Sequence, residues 1–156
     1  MRRCDTAEIV HRVGIKAAPD QVFRALSTIE GLSGWWTKDT TGDSKVGGAL
    51  AFEFRPPSGG HVVFDMDVIE LTPDKIVRWR VKDGPDEWVG TELEFALAQE
   101  SSYTIVLFAH RNWPDAMEFM AHCSMKWATF LLSLRSFVEA GKGRPAPDDL
   151  KIDNWN

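Results

Sequence analysis

Residues 114–141, PDAMEFMAHCSMKWATFLLSLRSFVEAG, constrain the fold more than any other stretch of the sequence. Ala116, Met120, Cys123, Trp127, Phe130, Leu134 and Phe137 recur at intervals of three and four, which lines them along one side of an α-helix. Asn112 suits the N-cap, Pro114 is tolerated in a first turn, and Asp115 and Glu118 favour the positive end of the helix dipole. Gly141 and Gly143, then Pro145 and Pro147, end it. At ~1.5 Å per residue such a helix runs roughly 40 Å, the width of a small domain. An apolar stripe of that length must lie against a surface of comparable size.

The upstream sequence supplies that surface. Ile9, Val13 and Ile15 alternate with Glu8, Arg12 and Lys16 and predict an edge strand over 7–17. Ala18-Pro19-Asp20 opens a helix through Ser27, with Val22, Phe23 and Leu26 on its inner side. Gly31 interrupts the helical stretch, and a second short piece runs from Ile29 to Trp36. The polar, glycine-bearing residues 37–48 predict a mobile loop. From Ala49 the period is two. Leu50, Phe52 and Phe54 lead through a turn at 56–60 into Val62, Phe64, Met66 and Val68. Val77, Trp79 and Val81 follow, then Leu93, Phe95 and Leu97, and last Thr104, Val106, Phe108 and His110. With Thr72-Pro73 at a hairpin tip, Met66 faces Trp79 inside, while Asp67 meets Arg78 and Asp65 meets Arg80 outside.

One strand, two short helices, five antiparallel strands and one long helix predict an α+β fold in which a curved antiparallel sheet grips the helix. A length of 156 residues suits a single domain with its core over about 8–147. The other parity of the last strand, Ile105, Leu107 and Ala109, is also apolar, as a homodimer contact, a covering loop or scattered surface residues would be. A net charge of -5 lacks the basic face that a nucleic-acid reader needs to displace counterions. No run approaches a bilayer span, and MRRCDTAEIV lacks the apolar core of a signal peptide, so no membrane partner and a cytoplasmic location are expected. Cys4 and Cys123 are too few for a disulfide framework and are expected as reduced thiols. Seven tryptophans and nine phenylalanines against one tyrosine imply a bulky interior or one that surrounds a cavity.

The segments IVHRVGIKAAPDQVFRALSTIEGLSGWW, LFAHRNW and KWATFLLSLRSFVEAGKGRPAP resemble the SRPBCC (START-like, helix-grip) superfamily. Within it they are most similar to the branch named after the activator of the heat-shock-protein-90 ATPase. The resemblance runs from about Glu8 to Pro147 and implies a cavity between the sheet and the long helix. Members bind lipids, sterols, aromatic polyketides or plant hormones; some are cyclases and others co-chaperones. The eukaryotic chaperone activators carry a separate N-terminal domain with no counterpart in this sequence. No catalytic motif is shared across the superfamily, so none carries over.

The residues themselves offer little chemistry. His11, His61, His110 and His122 lack a second ligand at metal-type spacing, so no metal and no cofactor is expected. His110, at the end of an inner strand beside Arg111 and Trp113, either reaches a cavity mouth or bonds a backbone carbonyl. Asp65 and Asp67 share a face, as do Glu92 and Glu94, but point outward as ion pairs. Ser133 and Ser136 lack a neighbouring base and are expected to pack or sit at the surface. There remains a set facing the helix: Trp35, Trp36, Phe52, Phe54, Phe64, Met66, Trp79, Phe95, Phe108, His110, Met120, Trp127 and Phe130. Each alone reads as core; together they suggest an apolar ligand cavity, with Trp79, Trp127 and His110 offering ring N–H groups. The expected function is binding of a small hydrophobic or aromatic ligand without catalysis, entering near residues 37–48 and the start of the long helix. The alternatives are a cyclase or hydrolase using His110 or Arg111, and a co-chaperone-like protein working through its surface.

Overall fold

The computed structural model describes residues 6–57 and 59–156; Cys4 and Ser58 lie outside that range. Strand β1 (Ala7–Ile15) leads into helices α1 (Pro19–Ser27) and α2 (Ile29–Trp35). Strands β2 (Asp39–Gly42), β3 (Ala49–Phe54), β4 (Val62–Thr72), β5 (Ile76–Asp83), β6 (Glu92–Glu100) and β7 (Tyr103–Trp113) follow, then helix α3 (Glu118–Ala140). The seven strands form one sheet in the order β1-β7-β6-β5-β4-β3-β2, every neighbouring pair antiparallel. This is the α+β helix-grip arrangement, with β1 at an edge as its alternation predicts.

Helix α3 keeps its apolar stripe: Cys123, Trp127, Phe130 and Leu134 are buried, joined by Leu131. Burying each of the large side chains contributes on the order of 2 kcal/mol. Its start differs from the prediction. Pairing of β7 with β1 extends to Trp113, opposite Ala7, so Asn112 is part of a strand and adopts a φ of 72° instead of capping a helix. Asp115 then holds a bend by accepting from the Ala116 N–H at 2.8 Å, which leaves Ala116 exposed and outside the helix. Gly141 ends α3 in the left-handed conformation, its N–H donating to the Phe137 carbonyl at 2.9 Å. Only glycine enters that region without a Cβ penalty.

Three further expectations are corrected. Residues 37–48 contain a strand, β2, because Asp39–Gly42 ladders onto Leu50–Glu53 of β3. The break between α1 and α2 falls at Thr28, whose hydroxyl accepts from the Gly31 N–H at 3.0 Å, so Gly31 lies inside α2. In the β4–β5 hairpin, irregularities at 65/66 and 68/70 shift the register: Met66 lies opposite Val81, Asp67 opposite Arg80, and Glu70 opposite Arg78. An extra residue on one strand displaces every pairing beyond it. Arg78 consequently pairs with Glu70 at 3.4 Å and Arg80 with Glu92 at 2.7 Å, in place of Asp67 and Asp65. No described helix is long and apolar enough to cross a membrane.

Candidate functional site

A pocket of about 470 Å³ opens between the β3–β4 side of the sheet and α3. Its floor and walls are rings: Trp36 from the end of α2, Phe54 and Phe64 from β3 and β4, and Trp127 and Phe130 from α3. Trp88, from the loop between β5 and β6, closes the far side. The mouth carries the polar groups Arg55, Glu87, His122, Lys126 and Asp149. The returning C-terminal segment adds Trp155 to the rim. No residue of 37–48 lines the pocket, so its opening lies at the β3–β4 turn and the first half of α3.

Of the thirteen residues singled out from the sequence, Trp36, Phe54, Phe64, Trp127 and Phe130 line this space. Trp35, Phe52, Met66, Trp79, Phe95 and Phe108 are fully buried in solid core beneath it. The physical reason is depth: these side chains come from mid-strand positions and from the inner side of α2. Trp36 stacks on Trp79 at 6.0 Å and touches Phe52 at 4.2 Å, so it separates that core from the pocket. Met120 is half-buried and is not part of the wall. The Trp79 ring nitrogen, expected to greet a ligand, is buried without a hydrogen-bond partner.

His110 is fully buried and does not line the pocket. The Trp127 indole N–H donates to His110 Nδ1 at 3.3 Å, which places the imidazole proton on Nε2. Nε2–H then donates to the Thr91 hydroxyl at 2.8 Å, and that hydroxyl donates to the Trp88 carbonyl at 2.5 Å. Burial lowers the His110 pKa to about 3 and keeps the ring neutral. The chain therefore orients Trp127 and Trp88, the two opposed indoles of the wall, which stack at 6.1 Å. His110 is a positioning residue in this pocket, bonded to side chains and not to the backbone carbonyl envisaged from sequence.

Trp88 is the residue that sequence reading missed. A loop has no period to betray an inward side chain, and the only signal was a tryptophan in an otherwise polar stretch, DGPDEWVG. A turn from Pro85 holds it, with the Trp88 N–H donating to the Pro85 carbonyl at 2.8 Å.

The mouth is electrostatically tied. Lys126, buried on α3, donates to Asp149 at 2.5 Å and to the Leu150 carbonyl at 2.8 Å, and Lys151 joins Asp149 at 2.9 Å. Burial opposes the Asp149 charge, but the hydrogen bonds from Lys126 and Lys151 outweigh it and hold the carboxyl below its ordinary range. His122 Nδ1 lies 2.8 Å from Asp153, whose carboxyl that contact also holds low. Burial pushes the Cys123 thiol, in the wall, up to about 12, which leaves it a poor nucleophile. Elsewhere, Ser133 donates to the Trp35 carbonyl at 2.8 Å and Ser136 to the Lys142 carbonyl at 2.6 Å, so both serines are structural. Among the described residues no three His, Cys, Asp or Glu side chains are grouped to hold a metal.

Comparison with known proteins supports the same architecture. The sequence profile of the family described as "Activator of Hsp90 ATPase homolog 1-like protein" matches residues 16–139. The Aha1 dimer of Colwellia psychrerythraea is 43% identical, with a TM-score of 0.76 over 88% of this chain and 99% of its own. A protein of Chromobacterium violaceum is 25% identical, with a TM-score of 0.72 over 85% of this chain and 96% of its own. CalU16 of Micromonospora echinospora shares the fold at 19% identity, with a TM-score of 0.71 over 91% of this chain and 78% of its own. Among the curated proteins none matches significantly. From the grip of the sheet on α3 to the span of the profile, the chain belongs to the family of Activator of Hsp90 ATPase homolog 1-like proteins, within the SRPBCC helix-grip superfamily.

Proposed function

We propose that the pocket binds a small apolar or aromatic molecule and that no turnover is involved. The observation that supports this most directly is the lining: eight aromatic rings, Trp36, Phe54, Phe64, Trp88, Phe119, Trp127, Phe130 and Trp155, around about 470 Å³ that opens to the surface. Concave, mostly apolar pockets with a few polar groups at one end are the usual form of small-molecule sites. A ligand burying ~300 Å² of apolar surface at ~25 cal/mol/Å² gains on the order of 7 kcal/mol before association costs, so burial alone supports a Kd no tighter than about 10 µM and the polar groups at the mouth must add to it for tighter binding. A cyclase or hydrolase needs an acid or base at the ligand. His110 packs against Trp88 and Trp127 outside the pocket, and His122, Lys126 and Asp149 are each engaged with protein partners. These placements favour binding over catalysis.

A second reading concerns assembly. We propose that the chain forms a homodimer, supported by the Colwellia relative, which is a dimer.

Native mass spectrometry of the protein from its own host, followed by organic extraction, tests the binding reading. One co-purifying small molecule is expected, with a thermal shift from members of a panel of fatty acids, sterols and aromatic polyketides. Phe54→Glu, which places a charge in the wall, is expected to abolish both. A bare protein mass together with no shift from any panel member refutes the reading.

A further inference from the structure

Beyond the end of α3 the chain doubles back across the junction of α2 and β2, and the crossing leaves a second groove, of about 620 Å³. The segment that forms it is braced on both sides. Ser133 accepts from the Arg144 N–H at 2.7 Å and Ser136 donates to the Lys142 carbonyl at 2.6 Å, which fastens the segment to α3. The Ala146 N–H donates to the Trp36 carbonyl at 2.8 Å and the Lys38 N–H to the Ala146 carbonyl at 3.0 Å, which fastens it to the residues after α2. Gly143 packs so closely that a Cβ there would lie 2.5 Å from the Gly34 carbonyl oxygen. The side chains of this segment therefore start from a fixed backbone.

Most of them are cations. Lys38, Lys142, Arg144 and Lys151 line the groove with two carboxylates, Asp148 and Asp149. Lys38 pairs with Asp148 at 2.7 Å and Lys151 with Asp149 at 2.9 Å, and Asp149 is shared with Lys126, which reaches it from α3. Four cations against two carboxylates leave two positive charges on the lining, in a chain whose net charge is -5. Those two belong to Lys142 and Arg144, both exposed and neither in an ion pair among the described residues. Arg144 spends only Nε, donating to the Asp148 carbonyl at 2.9 Å, and keeps its Nη groups as a fork. Like charges held side by side repel, and a bound anion relieves the repulsion.

The charge count selects the anion. A carboxylate brings one negative charge, whereas a phosphate monoester brings about two at neutral pH, with oxygens for both a planar guanidinium and an ammonium group. We infer that the groove is a binding site for a phosphate monoester or diphosphate, contacted by Lys142 and Arg144 and flanked by Lys38 and Lys151. The site does not rest on the aromatic pocket, whose lining shares only Asp149 with it.

Isothermal titration calorimetry of the full chain with phenyl phosphate and with pyrophosphate tests it. Saturable binding is expected, weakening as salt rises. Benzoate, similar in shape to phenyl phosphate with a single charge, is expected to bind at least tenfold more weakly. Lys142→Gln, at a side chain with no hydrogen bond among the described residues, is expected to raise the Kd for phenyl phosphate about tenfold, and Arg144→Gln at least as much. Lys75→Gln, in the exposed β4–β5 turn, is expected to leave it unchanged. Flotation with phosphatidylcholine vesicles, with and without phosphatidic acid, separates the sources of the phosphate. Capture by phosphatidic acid that Lys142→Gln abolishes assigns a lipid headgroup, and calorimetric binding without capture assigns a free phosphate compound. No binding of either phosphate probe, or binding that Lys142→Gln and Arg144→Gln weaken no more than Lys75→Gln does, overturns the site. Benzoate binding as tight as phenyl phosphate overturns the phosphate class.

Discussion

The His110 chain makes stability depend on pH in a calculable way. The folded protein holds the imidazole neutral, with Nδ1 accepting from Trp127 and burial lowering its pKa to about 3. In the unfolded chain the ring titrates near its ordinary value of 6.5. Below that value the unfolded state takes up a proton that the folded state refuses, so stability falls as pH falls, and the loss is complete only below about pH 3. At ~1.4 kcal/mol per unit the full difference is about 5 kcal/mol. Between pH 7 and pH 5 only the unfolded state titrates appreciably, and the loss is about 2 kcal/mol. Urea unfolding of wild type and His110→Gln at both pH values checks this. Glutamine does not titrate, and its amide can still donate to Thr91. Other groups titrate alike in both proteins and cancel in the comparison. Wild type is expected to lose about 2 kcal/mol more than the variant over that interval. Equal losses would show that His110 accepts a proton in the folded state, and the buried neutral chain would be wrong.

Two further substitutions test how the pocket is framed. Gly31→Ala brings a Cβ within 2.6 Å of the Ala25 backbone, forcing α1 and α2 apart; chemical denaturation is expected to show a loss of about 2 kcal/mol despite the better helix propensity of alanine. Unchanged or raised stability would place the two helices further apart than described. Lys126→Met removes one of two cations from the buried Asp149 carboxylate, and a loss of about 2–3 kcal/mol is expected together with faster proteolysis of residues 149–156. Adding Asp149→Leu is expected to recover most of that loss; no recovery would mean that Lys126 acts through packing alone.

What the sequence determined by itself was the arrangement of faces. Period two and period three to four are local consequences of strand and helix geometry, so they named β1, β3–β7, α1, α2 and α3, their inner residues, and hence the α+β grip. Gly141 could be placed as a helix end because a left-handed residue is a local requirement. Periodicity reports the side a residue faces and is silent about depth. Phe54 and Trp79 look equivalent on their strands, yet Phe54 lines the pocket and Trp79 lies fully buried beneath Trp36. Only the tertiary structure decided that, because depth depends on how far α2 and α3 cover each strand. Tertiary structure also decided what local rules leave open. The β4 irregularities moved Arg78 and Arg80 to new partners, and pairing with β1 carried β7 through Asn112 at the expense of a helix cap. Trp88 entered the wall through its contact with His110 of the distant strand β7, linked to it by Thr91 three residues further along the loop. The same distant contacts turned His110 from a candidate acid into the neutral support of two tryptophans, because burial among rings removes the solvent that its charge requires.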